Sequence, residues 1–433
     1  MKELDDFDEW ALRAAAVQGV TAHAFAVEDL QGPGLARVAR ANRGVSGDDL
    51  AGSAPARPGH RRALGKIFVT GERTPANASS VGQGHLDALN RPLRDLRISV
   101  TDRCNFRCTY CMPKEVYDRK HAFLSNSALL SFAEITRLAG VFASAGVRKL
   151  RLTGGEPLLR RHLERLVEML AAVRTPEGEP LDVKLTTNGS ILGAKAGALR
   201  AAGLKRLIVS LDAIDDAVFR RMNDVNFAVE DVLAGIDAAI ASGFAPVKVN
   251  MVVKRGENDG QIIPLTRALN ARYGNDVVLR FIEFMDVGST NNWRLDDVMP
   301  SSDVVARLRQ IGPLTALPAT VEGETARRWR FDTTGQEIGL VSSVTQAFCG
   351  SCNRARLSAT GKLYLCLFAT HGHDLRALVH GGANDAAIAA AIGHLWDGRD
   401  DRYSALRSAA TSSFDTRGAT TQEHRVEMHH IGG

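Results

Sequence analysis

The six cysteines of the chain fall into two groups of three, and both groups have the spacing of metal ligands. Cys104, Cys108 and Cys111 form a C-x3-C-x2-C motif, which lets three thiolates meet within one compact loop. The second group consists of Cys349, Cys352 and Cys366. Thiols stay reduced in a reducing compartment, so this grouping favours metal ligation over disulfides.

Three thiolates without a fourth favour an iron–sulfur cluster at each group. A [4Fe–4S] cluster with three cysteine ligands leaves one iron open, and an open position can bind a cofactor or a substrate. Structural zinc is the alternative, because zinc normally takes four ligands, and His371 or His373 would complete the second group. The spacing alone leaves both interpretations open.

A repeating pattern of apolar strands and amphipathic helices begins near Asp95 and predicts the elements that position these cysteines. Strand-like runs that alternate with helical stretches indicate an α/β fold with a parallel sheet. Six such units predict a partial, open (βα)6 barrel similar to a TIM barrel. The predicted strands are 96–100, 149–153, 183–187, 207–211, 247–253 and 277–284.

Polar and small residues follow the ends of these strands, where the loops of such barrels converge on a ligand. Cys104 follows the first strand, and Gly154-Gly-Glu-Pro157 follows the second. The third, fourth and sixth strands end near Thr186, Ser210 and Met285. We therefore expect the chemistry at this end of the barrel.

Changes of composition along the chain indicate three parts. Residues 1–80 are rich in Ala, Gly, Arg and Ser and have no sustained period, which predicts a poorly ordered N-terminal extension. Residues 86–305 contain the predicted barrel. Residues 306–433 contain the second cysteine group and a double-glycine tail, and they are predicted to form a C-terminal domain.

Composition and charge exclude several classes of partner. The chain has 433 residues, of which 45% are hydrophobic and 24% charged, as in a globular enzyme. The net charge of +5 and the scattered Arg residues favour small anions over nucleic acid. The apolar runs are too short for a membrane span. The acidic start of the chain lacks the features of a secretory signal, so we expect a cytoplasmic protein.

Two motifs together resemble the radical SAM superfamily: the three-cysteine loop with Tyr110 before its last cysteine, and Gly-Gly-Glu-Pro after the next strand. Further blocks narrow the resemblance to the GTP 3′,8-cyclases of molybdenum cofactor biosynthesis, the molybdenum cofactor biosynthesis protein A family. These blocks are 94–104, 151–158, 185–189, 247–250, 280–288, the second cysteine group and 432–433. The resemblance implies a radical SAM barrel with a C-terminal auxiliary iron–sulfur cluster domain.

The resemblance implies two [4Fe–4S] clusters and S-adenosylmethionine as cofactors. The first cysteine group would hold the cluster that cleaves S-adenosylmethionine to methionine and a 5′-deoxyadenosyl radical. The second group would hold the auxiliary cluster, whose open iron meets the guanine of the substrate. Contacts with S-adenosylmethionine are implied for Tyr110, Gly155, Ser210 and Met285.

The substrate that the resemblance implies is GTP. Its implied contacts are Arg97, Arg151, Thr186, Lys248, Arg354 and Arg356. A triphosphate carries several negative charges, which suit Arg and Lys side chains in a partly desolvated pocket. The tail residues Gly432 and Gly433 would enter the active site beside Arg280, and these three residues form the implied catalytic set.

The implied reaction joins C3′ of the ribose to C8 of guanine and gives (8S)-3′,8-cyclo-7,8-dihydroguanosine 5′-triphosphate. This is the first step of molybdenum cofactor biosynthesis. The implied partners are an electron donor and cyclic pyranopterin monophosphate synthase, which would act next. A homodimer is left open.

Two rival functions remain at this point. A peptide-modifying radical SAM enzyme also combines the barrel with C-terminal clusters, although such enzymes usually carry more cysteines. A zinc-stabilised nucleic-acid-binding protein would account for two cysteine groups and positive charge. That rival leaves the Gly-Gly-Glu-Pro motif and the βα units unexplained.

Overall fold

The computed structural model of the protein describes residues 84–321, 323–411 and 425–432. The chain divides into two units, Met1–Ser80 and Val81–Gly433, and the described residues all belong to the second. The extension predicted over residues 1–80 therefore lies outside the described residues, and so does Gly433.

The second unit is built on one sheet of 12 strands with helices between them. The strands are β1 (Asp95–Ser99), β2 (Lys149–Thr153), β3 (Asp182–Thr187), β4 (Arg206–Ser210), β5 (Val247–Val253), β6 (Val277–Glu283), β7 (Leu314–Leu317), β8 (Arg327–Phe331), β9 (Glu337–Val341), β10 (Arg354–Leu357), β11 (Lys362–Tyr364) and β12 (His373–Asp374). The described α-helices are α1 (Phe132–Ser144), α2 (Leu163–Ala172), α3 (Leu192–Ala201), α4 (Asp216–Asn223), α5 (Val229–Ala241), α6 (Ile262–Tyr273), α7 (Ser301–Leu308), α8 (Leu375–His380), α9 (Asp385–Asp397), α10 (Tyr403–Thr411) and α11 (Met428–Ile431).

The strand order is β12-β11-β10-β1-β2-β3-β4-β5-β6-β9-β8-β7. Strands β1 to β6 pair in parallel, and the parallel part continues with β10 beside β1 and β9 beside β6. The outer strands pair antiparallel. Because β12 and β7 end the order, the sheet is open. The predicted α/β fold with a partial parallel barrel is confirmed.

Each of the six predicted barrel strands is present, with ends within one residue of the predicted ends. The segment after residue 305 is continuous with the barrel sheet, because its strands β9 and β10 extend that sheet on both sides. Within the described ranges, no helix combines the length and the hydropathy that a membrane span needs.

Alternating residues give the barrel strands an apolar face and a polar face. In β3, Val183 and Leu185 are buried in the core, whereas Lys184 and Thr186 are half-buried. The apolar face packs against the helices that follow each strand. Helix α1 begins with a capping box between Ser131 and Glu134, which satisfies the first backbone donors of the helix. The polar face is thereby left for the interior of the barrel.

A buried carboxylate joins the last barrel strand to the segments that follow it. Glu283, at the end of β6, is 2% exposed. It accepts hydrogen bonds from the backbone N–H and hydroxyl of Ser301 at 2.8 and 2.9 Å. It also accepts bonds from the backbone N–H groups of Val344 and Thr345 at 2.8 and 2.9 Å, and from the Thr345 hydroxyl at 2.6 Å. One side chain thus fixes the start of α7 and the loop after β9.

We predict that Glu283→Ala destabilises the iron-free chain by about 3 kcal/mol or more, because several buried donors lose a charged acceptor. Urea unfolding followed by circular dichroism measures the change. Glu168→Ala, on the exposed side of α2, is the matched control and should shift the midpoint little. Equal midpoints for the two variants would show that Glu283 does not hold these segments.

Candidate active site

One cavity lies at the carboxyl ends of the barrel strands, and all six cysteines line it. The six cysteines are free thiols. The described residues contain no group of three His, Cys, Asp or Glu side chains arranged around a single ion. The other predicted site residues in the lining are Arg97, Tyr110, Arg151, Gly155, Thr186, Ser210, Arg280, Met285, Arg354 and Arg356. Lys248 and Gly432 lie outside this lining.

The first cysteine group occupies a loop directly after β1. The backbone N–H of Phe106 donates to Cys104 Sγ at 3.4 Å, and the Asn188 amide donates to the same sulfur at 3.9 Å. Burial, assisted by Glu156, raises the pKa of the Cys104 thiol to about 11. Donors aimed at a sulfur are characteristic of iron–sulfur ligands, since they stabilise the charge of the bound thiolate. The loop therefore fits a cluster with three cysteine ligands.

The Gly-Gly pair packs against the backbone that leads into this loop. A Cβ on Gly154 would lie 2.5 Å from the Thr101 carbonyl oxygen, and one on Gly155 would lie 2.3 Å from that of Arg103. The next residue, Glu156, donates its backbone N–H to the Arg103 carbonyl at 2.7 Å. The sequence suggested that these glycines allow a ligand to approach. The structure gives a second reason, because only glycine leaves room for the cysteine loop.

The Glu156 carboxylate connects the ends of β2 and β3. It is fully buried and accepts hydrogen bonds from the Thr187 hydroxyl and the Asn188 backbone N–H, both at 2.7 Å. Burial raises its pKa to about 7 although these bonds oppose the shift. The Glu156 side chain thus holds the two strand ends together.

Tyr110 is held by a carboxylate that the sequence analysis did not select. Its hydroxyl donates to Asp212 Oδ2 at 2.6 Å, and the backbone N–H of Val252 donates to Asp212 Oδ1 at 2.9 Å. Burial raises the pKa of Asp212 to about 6. Asp212 lines the cavity. The available signal was its position directly after β4, where a carboxylate faces the ligand end of the barrel.

The registers of β10, β1, β2 and β3 arrange charged residues in two rows across the sheet. The lower row contains both signs of charge: Arg354, Asp95, Lys149 and Asp182. Two positions further along each strand, the upper row contains cations alone: Arg356, Arg97, Arg151 and Lys184. Lys184 pairs with Asp182 at 3.1 Å. Three arginines of the upper row thus face the cavity without a carboxylate in their own row.

Two of these arginines and a neighbouring threonine have buried atoms that the protein itself does not satisfy. Among the described residues, Arg97 Nε, Arg151 Nε and Thr186 Oγ1 are buried without a hydrogen-bond partner. Burial and neighbouring arginines lower the pKa of Arg97 well below its ordinary value, and they lower that of Arg356 to about 10. Buried donors are normally paired, so these atoms indicate an anionic ligand that brings acceptors into the cavity.

Two members of the second cysteine group, Cys349 and Cys352, lie just before β10, and Cys366 follows β11. Cys349 begins a short turn, Cys349–Ser351, and Cys352 follows it. The Arg354 guanidinium donates to Cys352 Sγ at 3.3 Å. Burial opposes ionisation of Cys352, but Arg354 and Arg399 outweigh it and lower the pKa of this thiol to about 6. A site that stabilises a thiolate fits a second cluster, because cysteines bind iron as thiolates.

Lys248 lies on β5, and Arg280 on the neighbouring strand β6 affects its protonation. Arg280 lines the cavity and donates from Nε to Asn250 Oδ1 at 3.0 Å. Burial, Arg280 and Lys184 lower the pKa of Lys248 to about 8. Lys248 therefore extends the positive region from outside the cavity lining.

The C-terminal tail returns to the barrel and is fixed by two carboxylates. Glu427 accepts from the Ser289 backbone N–H at 2.9 Å and from the Thr290 hydroxyl at 3.1 Å. A Cβ on Gly288 would lie 2.1 Å from Glu427 Oε2, so this loop needs a glycine there. Asp286 accepts from Tyr403 at 2.5 Å and from Arg425 at 2.9 Å.

The tail glycine reaches the strand ends. The Gly432 carbonyl accepts a hydrogen bond from Arg356. Gly432 has a φ of +77°, and a Cβ there would lie 1.8 Å from Thr153 Oγ1. Gly432 thus bonds Arg356 and lies against Thr153, whereas Arg280 bonds Asn250. Gly433 lies outside the described residues.

Comparison with known proteins agrees with this geometry. A family model described as the Radical SAM superfamily matches residues 98–269, and one described as Molybdenum Cofactor Synthesis C matches residues 277–405. A protein named GTP 3′,8-cyclase from Acidothermus cellulolyticus is 48% identical over 363 residues, covering 80% of this chain and 98% of its own length. The chain belongs to the GTP 3′,8-cyclase family.

Another member of the GTP 3′,8-cyclase family, from Staphylococcus epidermidis, is 43% identical over 348 residues, covering 80% of this chain and 98% of its own length. Among solved structures, Streptococcus suis SuiB bound to S-adenosylmethionine has a TM-score of 0.51 at 13% identity, covering 73% of this chain and 68% of that chain. At this identity the likeness supports the fold alone.

The cofactors follow from the family. Radical SAM enzymes use a [4Fe–4S] cluster and S-adenosylmethionine, and a second cluster is typical of GTP 3′,8-cyclases. The two cysteine groups described above fit these clusters. The membership also removes the zinc-stabilised nucleic-acid-binding alternative.

One further cavity residue went unselected because its signal is weak in sequence. His429 lies in the tail and lines the cavity. Its ring packs edge-on against Tyr117 at 4.9 Å between centroids. Histidine at a chain end carries no periodic signal, and only the return of the tail makes it part of the site.

We predict that Gly432→Ala displaces the tail, because the new methyl would overlap Thr153 Oγ1 and the positive φ would be strained. Hydrogen exchange of residues 425–432 should become faster. Thr153→Ala combined with Gly432→Ala should restore part of the protection, since it removes the overlapping hydroxyl. Gly140→Ala on α1, where a Cβ meets nothing within 4 Å, is the control. Unchanged exchange in Gly432→Ala would contradict the contact.

Proposed function

We propose that this chain catalyses the radical cyclisation of GTP to (8S)-3′,8-cyclo-7,8-dihydroguanosine 5′-triphosphate, the first step of molybdenum cofactor biosynthesis. The observation that carries the proposal is that both cysteine groups and the upper row of arginines line one cavity. The relatives at 48% and 43% identity that are named GTP 3′,8-cyclase support it.

The charges of the cavity suit a triphosphate. Three arginines of the upper row line the cavity: Arg97, Arg151 and Arg356. Two of them have buried donors without a partner. A phosphate oxygen satisfies such donors and neutralises the repulsion that lowers their pKa values. Thr186 adds a buried hydroxyl with no partner among the described residues. A peptide substrate would not need this density of positive charge.

The proposed division of labour follows the position of each residue. Cys104, Cys108 and Cys111 would hold the first cluster, which together with S-adenosylmethionine supplies the one-electron cleavage that starts the reaction. Contacts with S-adenosylmethionine are proposed for Tyr110, Gly155, Ser210 and Met285, which line the same cavity as these cysteines. The protein then contributes positioning, because C3′ and C8 of GTP must be held close together.

The second cysteine group would hold the auxiliary cluster beside the guanine, and Arg354 lies next to it. The remaining proposed contacts with GTP are Arg97, Arg151, Thr186, Lys248 and Arg356. Arg280, Gly432 and Gly433 stay proposed catalytic residues, with Gly432 acting through its hydrogen bond with Arg356.

We also propose the wider setting of the enzyme. Residues 86–305 would form the radical SAM core, and residues 306–433 would form the auxiliary-cluster and GTP-binding part. Six free thiols suit a reducing cytoplasm. An electron donor must reduce the first cluster, and cyclic pyranopterin monophosphate synthase would consume the product. A homodimer is one assembly to test by light scattering.

The central test is anaerobic reconstitution with iron and sulfide, followed by incubation with GTP, S-adenosylmethionine and dithionite. Two clusters predict about eight irons per chain. We expect 5′-deoxyadenosine release to depend on GTP, because the substrate must occupy the cavity before hydrogen is removed. Replacing GTP by ATP is the matched control. Release that is indifferent to GTP would reject the substrate and keep the radical SAM class.

A second prediction concerns pH. The pKa of Lys248 is lowered to about 8 in the free protein, so Lys248 loses its proton above that pH and binding of GTP must restore it. The Kd for GTP should therefore rise by about tenfold per pH unit above the pKa of Lys248. Below it the Kd should be nearly constant.

Calorimetry with GTP across this pH range measures the effect. Lys248→Arg should flatten the profile, because Arg keeps its charge to higher pH. The ionisation of GTP itself affects both proteins equally, so the difference between them reports Lys248. Identical profiles would remove Lys248 from the GTP site.

A further inference from the structure

Three buried charged residues next to the second cysteine group have no role in the function proposed above, although one of them, Arg399, lines the cavity. Asp87 and Arg91 lie before β1, and Arg399 lies just after α9. Asp87 Oδ2 accepts from Arg91 Nε at 2.6 Å and from Arg399 Nη1 at 2.7 Å. Their side chains are 0%, 2% and 1% exposed. Such a buried network is costly unless its remaining donors are used.

Three further hydrogen bonds from the two arginines reach the segment of every cysteine in the second group. Arg91 Nη1 donates to the Cys349 carbonyl at 2.8 Å. Arg399 Nη1 donates to the Cys352 carbonyl at 3.0 Å. Arg399 Nε donates to the carbonyl of Leu365, the residue before Cys366, also at 3.0 Å. Two guanidinium groups, held by one carboxylate, therefore span all three ligand-bearing segments.

Arg399 also contacts a ligand sulfur directly. Its Nη2 donates to Cys352 Sγ at 3.2 Å, and its guanidinium lies 4.6 Å from the centre of the Trp396 ring. Trp396 is 1% exposed and donates from Nε1 to the Arg91 carbonyl at 3.0 Å. The Trp396 ring on one face and the hydrogen bonds of the Arg399 nitrogens hold this guanidinium in one orientation.

The net charge of Asp87, Arg91 and Arg399 also indicates a cluster held by the second cysteine group as their partner. One carboxylate and two guanidinium groups leave an excess positive charge in a buried place. Asp401 is a weaker counter-ion, because its carboxylate is 3.9 Å from Arg399 Nε and its side chain is 35% exposed. A cluster with three thiolate ligands is an anion, and it would lie on the Cys352 side of Arg399. The excess charge is thus compensated when the cluster is present.

We propose that Asp87, Arg91 and Arg399 form a clasp that positions the ligands of the auxiliary cluster and raises its reduction potential. The proposal rests on the proposed assignment of Cys349, Cys352 and Cys366 to that cluster. All three members of the clasp are positioning residues. A hydrogen bond and a positive charge beside a ligand sulfur stabilise the reduced, more negative cluster, which raises the potential.

The test uses the full chain with Cys104, Cys108 and Cys111 replaced by Ala, so that iron can enter the second group alone. Arg399→Gln and Arg399→Lys are introduced into this background. Arg137→Gln is the matched control, because Arg137 pairs with Asp385 at 2.8 Å on the outside of the molecule. Iron content, the rate of iron loss to a chelator and the midpoint potential from an EPR-monitored titration are measured.

For Arg399→Gln we expect iron loss about 10- to 100-fold faster, the usual effect of removing an outer-shell partner, and a more negative midpoint potential. Arg399→Lys should lose iron faster as well, because one ammonium cannot make the bonds of the fork. Its potential should shift less than that of Arg399→Gln, since the charge is kept. The control should match the background in both measurements.

Each other outcome counts against the proposal. A folded Arg399→Gln protein with the iron retention and potential of the background overturns it. If Arg399→Gln does not fold, Arg399→Lys decides, and unchanged iron loss in that variant overturns the proposal. Faster iron loss with an unchanged potential in both variants would show that Arg399 only holds the ligand segments in place. That outcome would reject the effect on the reduction potential. A background protein that takes up no iron would reject the auxiliary cluster itself.

Discussion

The parallel pairing of β10 with β1 is the interaction on which the site depends. Strand β10 follows the barrel in sequence, yet it lies beside the first barrel strand in the register Arg97↔Arg356. This pairing brings the cysteines that precede β10 to the cavity that the loop after β1 also lines. A slip of one residue would turn Arg354 and Arg356 to the other face of the sheet. One ladder therefore sets both the approach of the two cysteine groups and the charge between them.

The barrel strands were predictable from the sequence because their signals are local. Apolar runs followed by helical periodicity predicted β1 to β6 to within one residue at each end. The pairing of β9 and β10 with the barrel edges was not predictable in this way, because strand pairing across a long separation leaves no periodic trace. Local β-propensity identifies a strand, but tertiary packing determines which strand pairs with it.

The candidate site also divides into residues that local sequence signals predicted and residues that only the folded structure identifies. Cysteine spacing and the position of motifs after strands selected the residues that line the cavity, and the resemblance to a family supplied their roles. Residues that act through other residues were missed. Asp212 bonds Tyr110, and Arg399 bonds Cys352, but neither contact follows from sequence distance. A buried charge that supports a neighbour looks, in sequence, like any surface charge.

The two rows of charges make the cavity suited to an anion. In the lower row each cation lies next to a carboxylate, so the charges of that row cancel. In the upper row Arg356, Arg97 and Arg151 are adjacent, and burial lowers the pKa of each. Repulsion between arginines adds to the shifts of Arg97 and Arg356. The free protein therefore carries a local free-energy cost that a polyanion relieves. Relief of this cost would contribute to the affinity of the proposed triphosphate substrate.

Satisfaction of buried polar groups separates the parts of the molecule that support the fold from the part that awaits a ligand. Glu283 has its oxygens filled by donors from two segments, and Asp87 has its oxygens filled in the same way. Single unpaired atoms occur elsewhere among the described residues, for example on Thr136 and Gln336. Those on Arg97, Arg151, Thr186, Ser343 and His429 differ because these five residues line one cavity. An isolated unpaired atom is a local cost, whereas several that converge define the shape and the charge of what must bind there.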